Sequence, residues 1–330
     1  PPRRRHDRRH PSHPGPRARG GCGTIGRLPE VLVIVRLAVL LALVAAPVLA
    51  QPQDFSKVEI KSQKVAEGVY MLTGEGGNIG VSVGTDGCYV IDDQYAALTD
   101  RILAAIRAIT PAPVRFVVNT HWHFDHTGGN ENMGRAGALL VAHENVRLRM
   151  STEQFMAAVN RRVPPSPADA LPVVTFTDAV TFHWNGDEIR VYHVPPAHTD
   201  GDVVIHFVKA DVVHTGDLFV TGGYPFVDTS SGGRIDGFIA AADRMLAGTG
   251  EGTRFIPGHG TLSTRADLKA YRDVLKTLRE RIAALKAQGK SRAEVIAARP
   301  TADQDATWGR GDPKRASADR FTGLVYDSLP

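Results

Sequence analysis

Residues 116–130 read Phe-Val-Val-Asn-Thr-His-Trp-His-Phe-Asp-His-Thr-Gly-Gly-Asn, and this stretch restricts the fold more than any other. A short apolar run ends, and four candidate metal ligands follow within six positions: His121, His123, Asp125 and His126. Three imidazoles and a carboxylate make a poor core, because each needs a hydrogen bond or a cation when buried. A solvated turn rarely concentrates histidine so heavily. The HxHxDH spacing is that of a metal-binding turn at the end of a strand. A chain that uses it must bring further ligands to the same place.

Three later turns supply them, each just after a predicted strand. Val194-Pro-Pro-Ala-His198-Thr-Asp-Gly-Asp202 is the first, His214-Thr-Gly-Asp217-Leu-Phe219 the second, and Ile256-Pro-Gly-His259-Gly260 the third. Glycine and proline shape these turns, and the strand ends give the ligands rigid support. Imidazole and carboxylate suit Zn²⁺ at ~2.0–2.2 Å, and a catalytic site keeps one position open for water. Two zinc ions ~3.5–4 Å apart share a hydroxide and polarise a carbonyl or phosphoryl oxygen. Asp125 is the candidate catalytic residue, as a ligand that also orients this hydroxide. Such chemistry requires no Ser, Cys or Thr nucleophile. Cys88 lies in an apolar strand and reads as core. Asp92, at the end of that strand, reads as a structural group or a support for a ligand. His143, His183, His193, His206 and His214 fall in or beside strands or a helix start, outside the ligand turns. All five read as structural, with His214 near enough to support a ligand.

Around these turns the pattern alternates between strands and helices. Strands are predicted from Val58, at Val69–Thr73, Val81–Val83, Cys88–Asp92, Val114–Asn119 and Gly137–Ala142. More follow at Val173–Phe176, Val180–Phe182, Ile189–Val194, Val203–Val208, Asp211–His214 and Arg254–Ile256. Helical spacing covers Leu98–Ile109, His143–Met150, Ile235–Leu246, Ala266–Ala287 and Ser291–Ala298. Residues 151–172 form a polar, proline-containing excursion or lid. The glycine-rich run Gly74–Gly80 has strands on both sides and no helix after it, so it is a hairpin tip or substrate-facing loop. The fold class is mixed α/β, with helices covering sheets.

HWHFDH, AHTDGD, TGDLF and PGHG, in that order, resemble the metallo-β-lactamase superfamily over residues 58–262. The resemblance implies a four-layer αββα sandwich with the site at the loop edge between two sheets. It also implies the ligand sets: His121, His123 and His198 for one zinc, and Asp125, His126 and His259 for the other. Asp217 bridges them, as in glyoxalase II-like members. Two Zn²⁺ are the expected cofactors, with iron or manganese as alternatives.

The ends of the chain set its organisation. Residues 1–27 hold eight arginines and one aspartate, a net +7, so the other 303 residues carry −3 of the overall +4. The folded part lacks the basic field of a nucleic-acid-binding protein. Residues 1–30 read as a disordered basic segment upstream of the true start, since the first methionine is Met71. Residues 31–50 read as a cleavable signal peptide, with Arg36 preceding the apolar run Leu37–Ala50, which is short for a membrane span. A periplasmic or secreted protein follows, with no stable membrane anchor after cleavage. Residues 51–330 form one metallo-β-lactamase-fold domain with a C-terminal helical extension from about 266. After cleavage Cys88 is the sole cysteine, so no internal disulfide forms.

The substrate is constrained less tightly. By the resemblance, Asp217 stands where the cysteine-ligand β-lactamases carry Cys, and Val220 replaces the lysine that grips the antibiotic's carboxylate. That contact is worth ~1.5–3 kcal/mol, so β-lactam hydrolysis is expected to be weak, promiscuous or absent. Export argues against glutathione thioesters as the substrate. The short spacing from Asp217 to His259 leaves no room for the inserted cap domain of the nuclease branch. The expected function is hydrolysis of an amide, β-lactam or ester of a small molecule by a metal-bound hydroxide. The alternatives are an iron-dependent sulfur oxidoreductase on the same fold and a thioester or lactone hydrolase. Gly222–Gly233 is expected to line the pocket, with Tyr224 and Phe226 as substrate contacts.

Overall fold

The strand Cys88–Ile91 shows why this sequence folds into layers. It is buried along its whole length, and alternate residues enter different clusters. Cys88 and Val90 pack with Leu98, Ile102 and Ile106, whereas Tyr89 and Ile91 pack with Ile189, Val191 and Phe207 from a second sheet. A strand that is apolar on both faces must be covered on both.

The structure is a computed structural model and describes residues 54–309 and 316–330. The basic segment 1–30 and the apolar stretch 31–50 lie outside the described residues. Strands β1 (Lys61–Ala66), β2 (Val69–Thr73), β3 (Ile79–Ser82), β4 (Cys88–Ile91), β5 (Val114–Val118) and β6 (Leu139–His143) lie side by side in chain order. A separate hairpin, β7 (Gln154–Met156) and β8 (Arg161–Val163), precedes β9 (Val174–Phe176), which joins the first sheet beside β6. The second sheet runs β10 (Ala179–Trp184), β11 (Asp187–His193), β12 (Val203–Phe207), β13 (Val212–His214), β14 (Arg254–Ile256) and β15 (Ser263–Thr264). The pairs β4–β5, β5–β6, β6–β9 and β13–β14 are parallel.

Helices complete the sandwich. On the first sheet, α1 (Thr99–Ile109) inserts Ile102 and Ile106, with α2 (Phe124–Thr127), α3 (Asn130–Arg135) and α4 (Glu144–Met150) following. On the second sheet lie α5 (Ile235–Ala247), α6 (Arg265–Ala287), α7 (Arg292–Ala297), α8 (Asp305–Trp308) and α9 (Ala318–Ser328). Helix α6 starts in a capping box between Thr264 and Asp267 and buries Leu268, Tyr271, Leu275, Leu278 and Ile282 along one stripe. Burial of each such side chain contributes ~1.5–3 kcal/mol. The outer faces are therefore helical, the inner faces meet each other, and the αββα sandwich follows.

Two expectations need adjusting. The first strand begins at Lys61, not Val58. Val58 and Ile60 pack near α1, while Arg101 donates to the carbonyls of Phe55, Ser56 and Val58, so this stretch is held by a side chain outside any ladder. The excursion 151–172 contains the β7–β8 hairpin, whose Met156 buries against Trp122 and Val146.

Candidate metal centre

The ligand-bearing turns leave the two sheets together. The turn after β5 carries His121 and His123, and α2 carries Asp125 and His126. The turn between β11 and β12 carries His198, the turn after β13 carries Asp217, and the turn after β14 carries His259. Their donor atoms form three overlapping groups, each within 4.8 Å: His121, His123, His198; His121, His126, Asp217; and Asp125, His126, His259. All seven sequence-predicted ligands are therefore brought to one place.

The hydrogen bonds behind each ring fix which nitrogen faces inward. Asp228 Oδ2 lies 3.0 Å from His123 Nε2, and the Phe226 carbonyl lies 2.6 Å from His198 Nδ1. Asp92 Oδ2 lies 2.7 Å from His126 Nδ1. The Thr120 hydroxyl donates to Asp92 and so accepts from His121 Nδ1 at 3.0 Å. Each of these outer nitrogens must be a donor, which leaves a lone pair on the inner one in the neutral ring. His198 Nε2 and His123 Nδ1 then face each other at 2.8 Å, and His121 Nε2 is buried with no hydrogen-bond partner. Asp217 Oδ1 sits 3.2 Å from His126 Nε2 and 3.4 Å from His259 Nε2, also without hydrogen-bond geometry. Converging lone pairs repel unless a cation accepts them, so this donor set fits divalent metal.

Electrostatics agree. Burial, reinforced by neighbouring imidazoles, pushes His121 and His198 below the ordinary histidine range. Burial acts the same way on His126 and His259, but Asp217 and Asp125 outweigh it and raise both. Burial opposes ionisation of Asp125 and Asp217, yet His126 and His259 hold both carboxylates well below their usual range. Without metal, protons on His126 and His259 supply the positive charge that the carboxylates require.

Backbone shape makes the convergence possible. Asp92 takes a positive φ of 61°, a strained conformation that aspartate tolerates, and receives the Thr120 amide on Oδ1 at 2.7 Å. Gly77 lies against the His126 ring with no room for a Cβ, so the loop after β2 closes one wall of the cage. Asn78 ties that loop across the sandwich, donating to the carbonyls of Pro257 and Gly260. Residues 74–78 of the glycine-rich run are thus a hairpin loop between β2 and β3, with Gly80 inside β3, and Glu75 reaches the cleft from that loop.

A cleft of about 360 Å³ opens over the cage. Tyr95, Phe124, Met156, Val159, Val220 and Phe226 give it an apolar wall, with Glu75, Arg161 and Arg320 as charged lining. Phe226 lines the cleft, its ring 6.1 Å from His198 and 6.2 Å from His123. Tyr224 contributes to the wall but turns its hydroxyl away to Asp305 at 3.0 Å and stacks on Phe321 at 4.7 Å. His214 lies behind the cage, bonded to the Asn78 carbonyl, and His143 stacks on His193 at 3.9 Å. His183 and His206 lie on β10 and β12.

Sequence reasoning missed Asp228, Thr120, Arg161 and Arg320. Asp228 carried one local signal: it precedes Thr-Ser-Ser and caps that turn by accepting the Ser230 and Ser231 amides. Its bond to His123, 105 positions away, left no trace in either stretch.

An αββα sandwich carries this cage at the edge of its two sheets, an arrangement that can hold divalent metal beneath an open cleft. The chain belongs to the metallo-β-lactamase superfamily, whose family model matches residues 72–280. A hydroxyacylglutathione hydrolase from Rhodospirillum rubrum is 25% identical, over 46% of this chain and 50% of that protein. The chain spans about half the length, or less, of the curated relatives it matches. A metallo-β-lactamase from Pontibacter korlensis has a similar fold, with TM-score 0.55 and 22% identity over 66% of this chain and 99% of that one. The sec-alkylsulfatase Pisa1 from Pseudomonas sp. gives TM-score 0.62 at 18% identity, over 82% of this chain and 50% of that one.

Proposed function

We propose that this protein is an exported hydrolase with two zinc ions, cleaving an amide, lactam, ester or thioester bond of a small molecule. The observation that carries the reading is the inward convergence of the seven donors, with the outer nitrogens of His121, His123, His126 and His198 anchored. His121, His123 and His198 would hold one ion, Asp125, His126 and His259 the other, and Asp217 both. When bound, the two ions would supply an activated water near neutral pH and a Lewis acid for the substrate oxygen.

The chain's own groups define the rest. Asp125 is ionised, part-exposed to the cleft and 3.3 Å from His259 Nε2. From there it accepts a hydrogen bond from a water entering the cleft and aims the water's lone pair at the substrate. Asp228, Asp92 and the Phe226 carbonyl hold the imidazoles rigid, so little reorganisation accompanies reaction. Phe226 and Val220 exclude water from one side of the bond to be cleaved. The curated relatives are named hydroxyacylglutathione hydrolases, which puts thioesters on the panel even though export argues against glutathione itself as the carrier.

Metal analysis and a substrate panel test the proposal together. About two zinc ions per chain, with turnover of a lactam, lactone, ester or thioester that Asp125→Ala abolishes, is the expected result. One iron per chain with oxygen consumption would overturn it in favour of an oxidoreductase.

A further inference from the structure

Two guanidinium groups line the cleft, and neither has a carboxylate partner among the described residues. Arg161 begins β8, just after Asn160, whose positive φ of 48° ends the turn of the hairpin. Its guanidinium carbon lies 3.9 Å over the centre of the Phe124 ring. Phe124 stands between the candidate ligands His123 and Asp125 in the chain and lines the same cleft, so the stacking keeps the charge on the cleft wall. The hairpin itself is anchored. The Ala157 amide donates to Ser230 Oγ at 2.9 Å, on the same turn whose Asp228 holds His123.

Arg320 comes from the last helix, α9. It lies in the first turn of α9, whose cap Ser317 accepts the Arg320 amide. That helix is fixed to the cleft wall by a bridge between Ala316 and Tyr224 and by the Phe321–Tyr224 stack. Other exposed arginines nearby are paired: Arg162 with Glu153, and Arg292 with Asp327. Unpaired guanidiniums in a cleft with an apolar wall call for an anion from outside. The cage carboxylates Asp125 and Asp217 are already engaged with His126 and His259.

We infer that Arg161 and Arg320 form a clamp for a carboxylate on the substrate, beyond the bond placed over the metals. This inference rests on the hydrolase reading for the position of that bond. It assigns the substrate as an amphiphilic acid: an apolar body against Phe124, Met156 and Phe226, and an anionic end between the two arginines. Arg320 lies outside the region shared with the family, and Arg161 lies on the hairpin outside both sheets. Anion recognition here replaces, from different elements, a charge that Val220 cannot supply.

The test is binding to the zinc-loaded full chain, measured by titration calorimetry. The probes are 2-sulfanyl-3-phenylpropanoic acid and its primary amide, whose shared thiolate occupies the metals. Two charge-assisted contacts predict a preference for the acid of about a hundredfold, about tenfold for each arginine, because both are exposed until the ligand covers them. Arg161→Gln and Arg320→Gln should each reduce the preference about tenfold, and the double variant should abolish it. The Kd of the amide should stay within about twofold throughout. Arg161→Lys should keep part of the preference, and Arg162→Gln all of it. Equal Kd values for acid and amide in the wild type, or a preference that survives the double variant, would overturn the clamp. A protein that discriminates between the probes yet turns over no substrate keeps the clamp and refutes the hydrolase. One that hydrolyses acids and neutral analogues alike, with equal probe affinities, does the reverse.

Discussion

Asp228 and Asp92 each stand behind one imidazole of the cage, so the two metal positions proposed above should be separable by mutation. Asp228 is fully buried, with Oδ2 3.0 Å from His123 Nε2 and 2.5 Å from Ser231 Oγ. In Asp228→Asn the amide nitrogen can donate to Nε2. The proton then moves to Nδ1, the atom that must face the metal. Asp92→Asn does the same to His126 and also weakens two contacts with Thr120. Losing such a support typically lowers metal affinity 10–100-fold, or about 1.4–2.7 kcal/mol. The two zinc affinities can be read by competition with a chromophoric chelator. Asp228→Asn should weaken the position held by His123 and His198 by that factor and leave the other within about threefold. Asp92→Asn should do the converse and lower the Tm as well. Equal weakening of both positions by either variant, or no change in either, would refute the reasoning that the rings are tuned one at a time.

Other consequences follow from the packing. Gly77→Ala, whose new Cβ would meet the His126 ring, should destabilise the fold and lower zinc content, measured by denaturant unfolding and metal analysis. Burial holds the His214 imidazole down to about 4, from 6.5. The unfolded chain therefore takes up that proton first, and stability drops as pH falls from about 6.5 to 4, by up to about 3 kcal/mol. Burial raises Asp202 to about 6, which works in the opposite direction across part of that window. The check is therefore the difference between wild type and His214→Gln in urea melts of the chelated protein at pH 7 and pH 4.5, with the variant losing less. Cys88 is buried and its thiol is pushed up by burial, so the native protein should resist alkylation, and Cys88→Ala should keep full zinc content.

The parts of this molecule that were legible in the sequence are those written locally. HWHFDH and the three later turns carry their chemistry in a few consecutive residues, so the seven donors are identifiable from the sequence alone. The layers were legible because runs such as Cys88–Ile91 are apolar at every position and demand cover on both faces. The supports of the ligands were harder to read. Thr120 and Asp228 look like ordinary turn residues, and their partners are set by how distant loops fold together. The glycine-flanked loop marks Tyr224 as cleft-lining, which it is, but nothing local shows that its hydroxyl is taken by Asp305, 81 positions later. Arg161 and Arg320 are indistinguishable in sequence from solvated surface arginines. Only the hairpin and the terminal helix, meeting over one cleft, give them a shared neighbourhood.

The stack of Tyr224 on Phe321 joins the last helix to the loop that follows Asp217. The cage is braced from within the sandwich, whereas much of the cleft rim is borrowed from residues 154–163 and 316–330. These two segments are natural graft points. A chimera that exchanged them, with the residues contacting Phe321 retained, should acquire a new substrate range while its zinc stoichiometry stays the same. Reaction and selectivity in this chain can thus evolve on separate schedules.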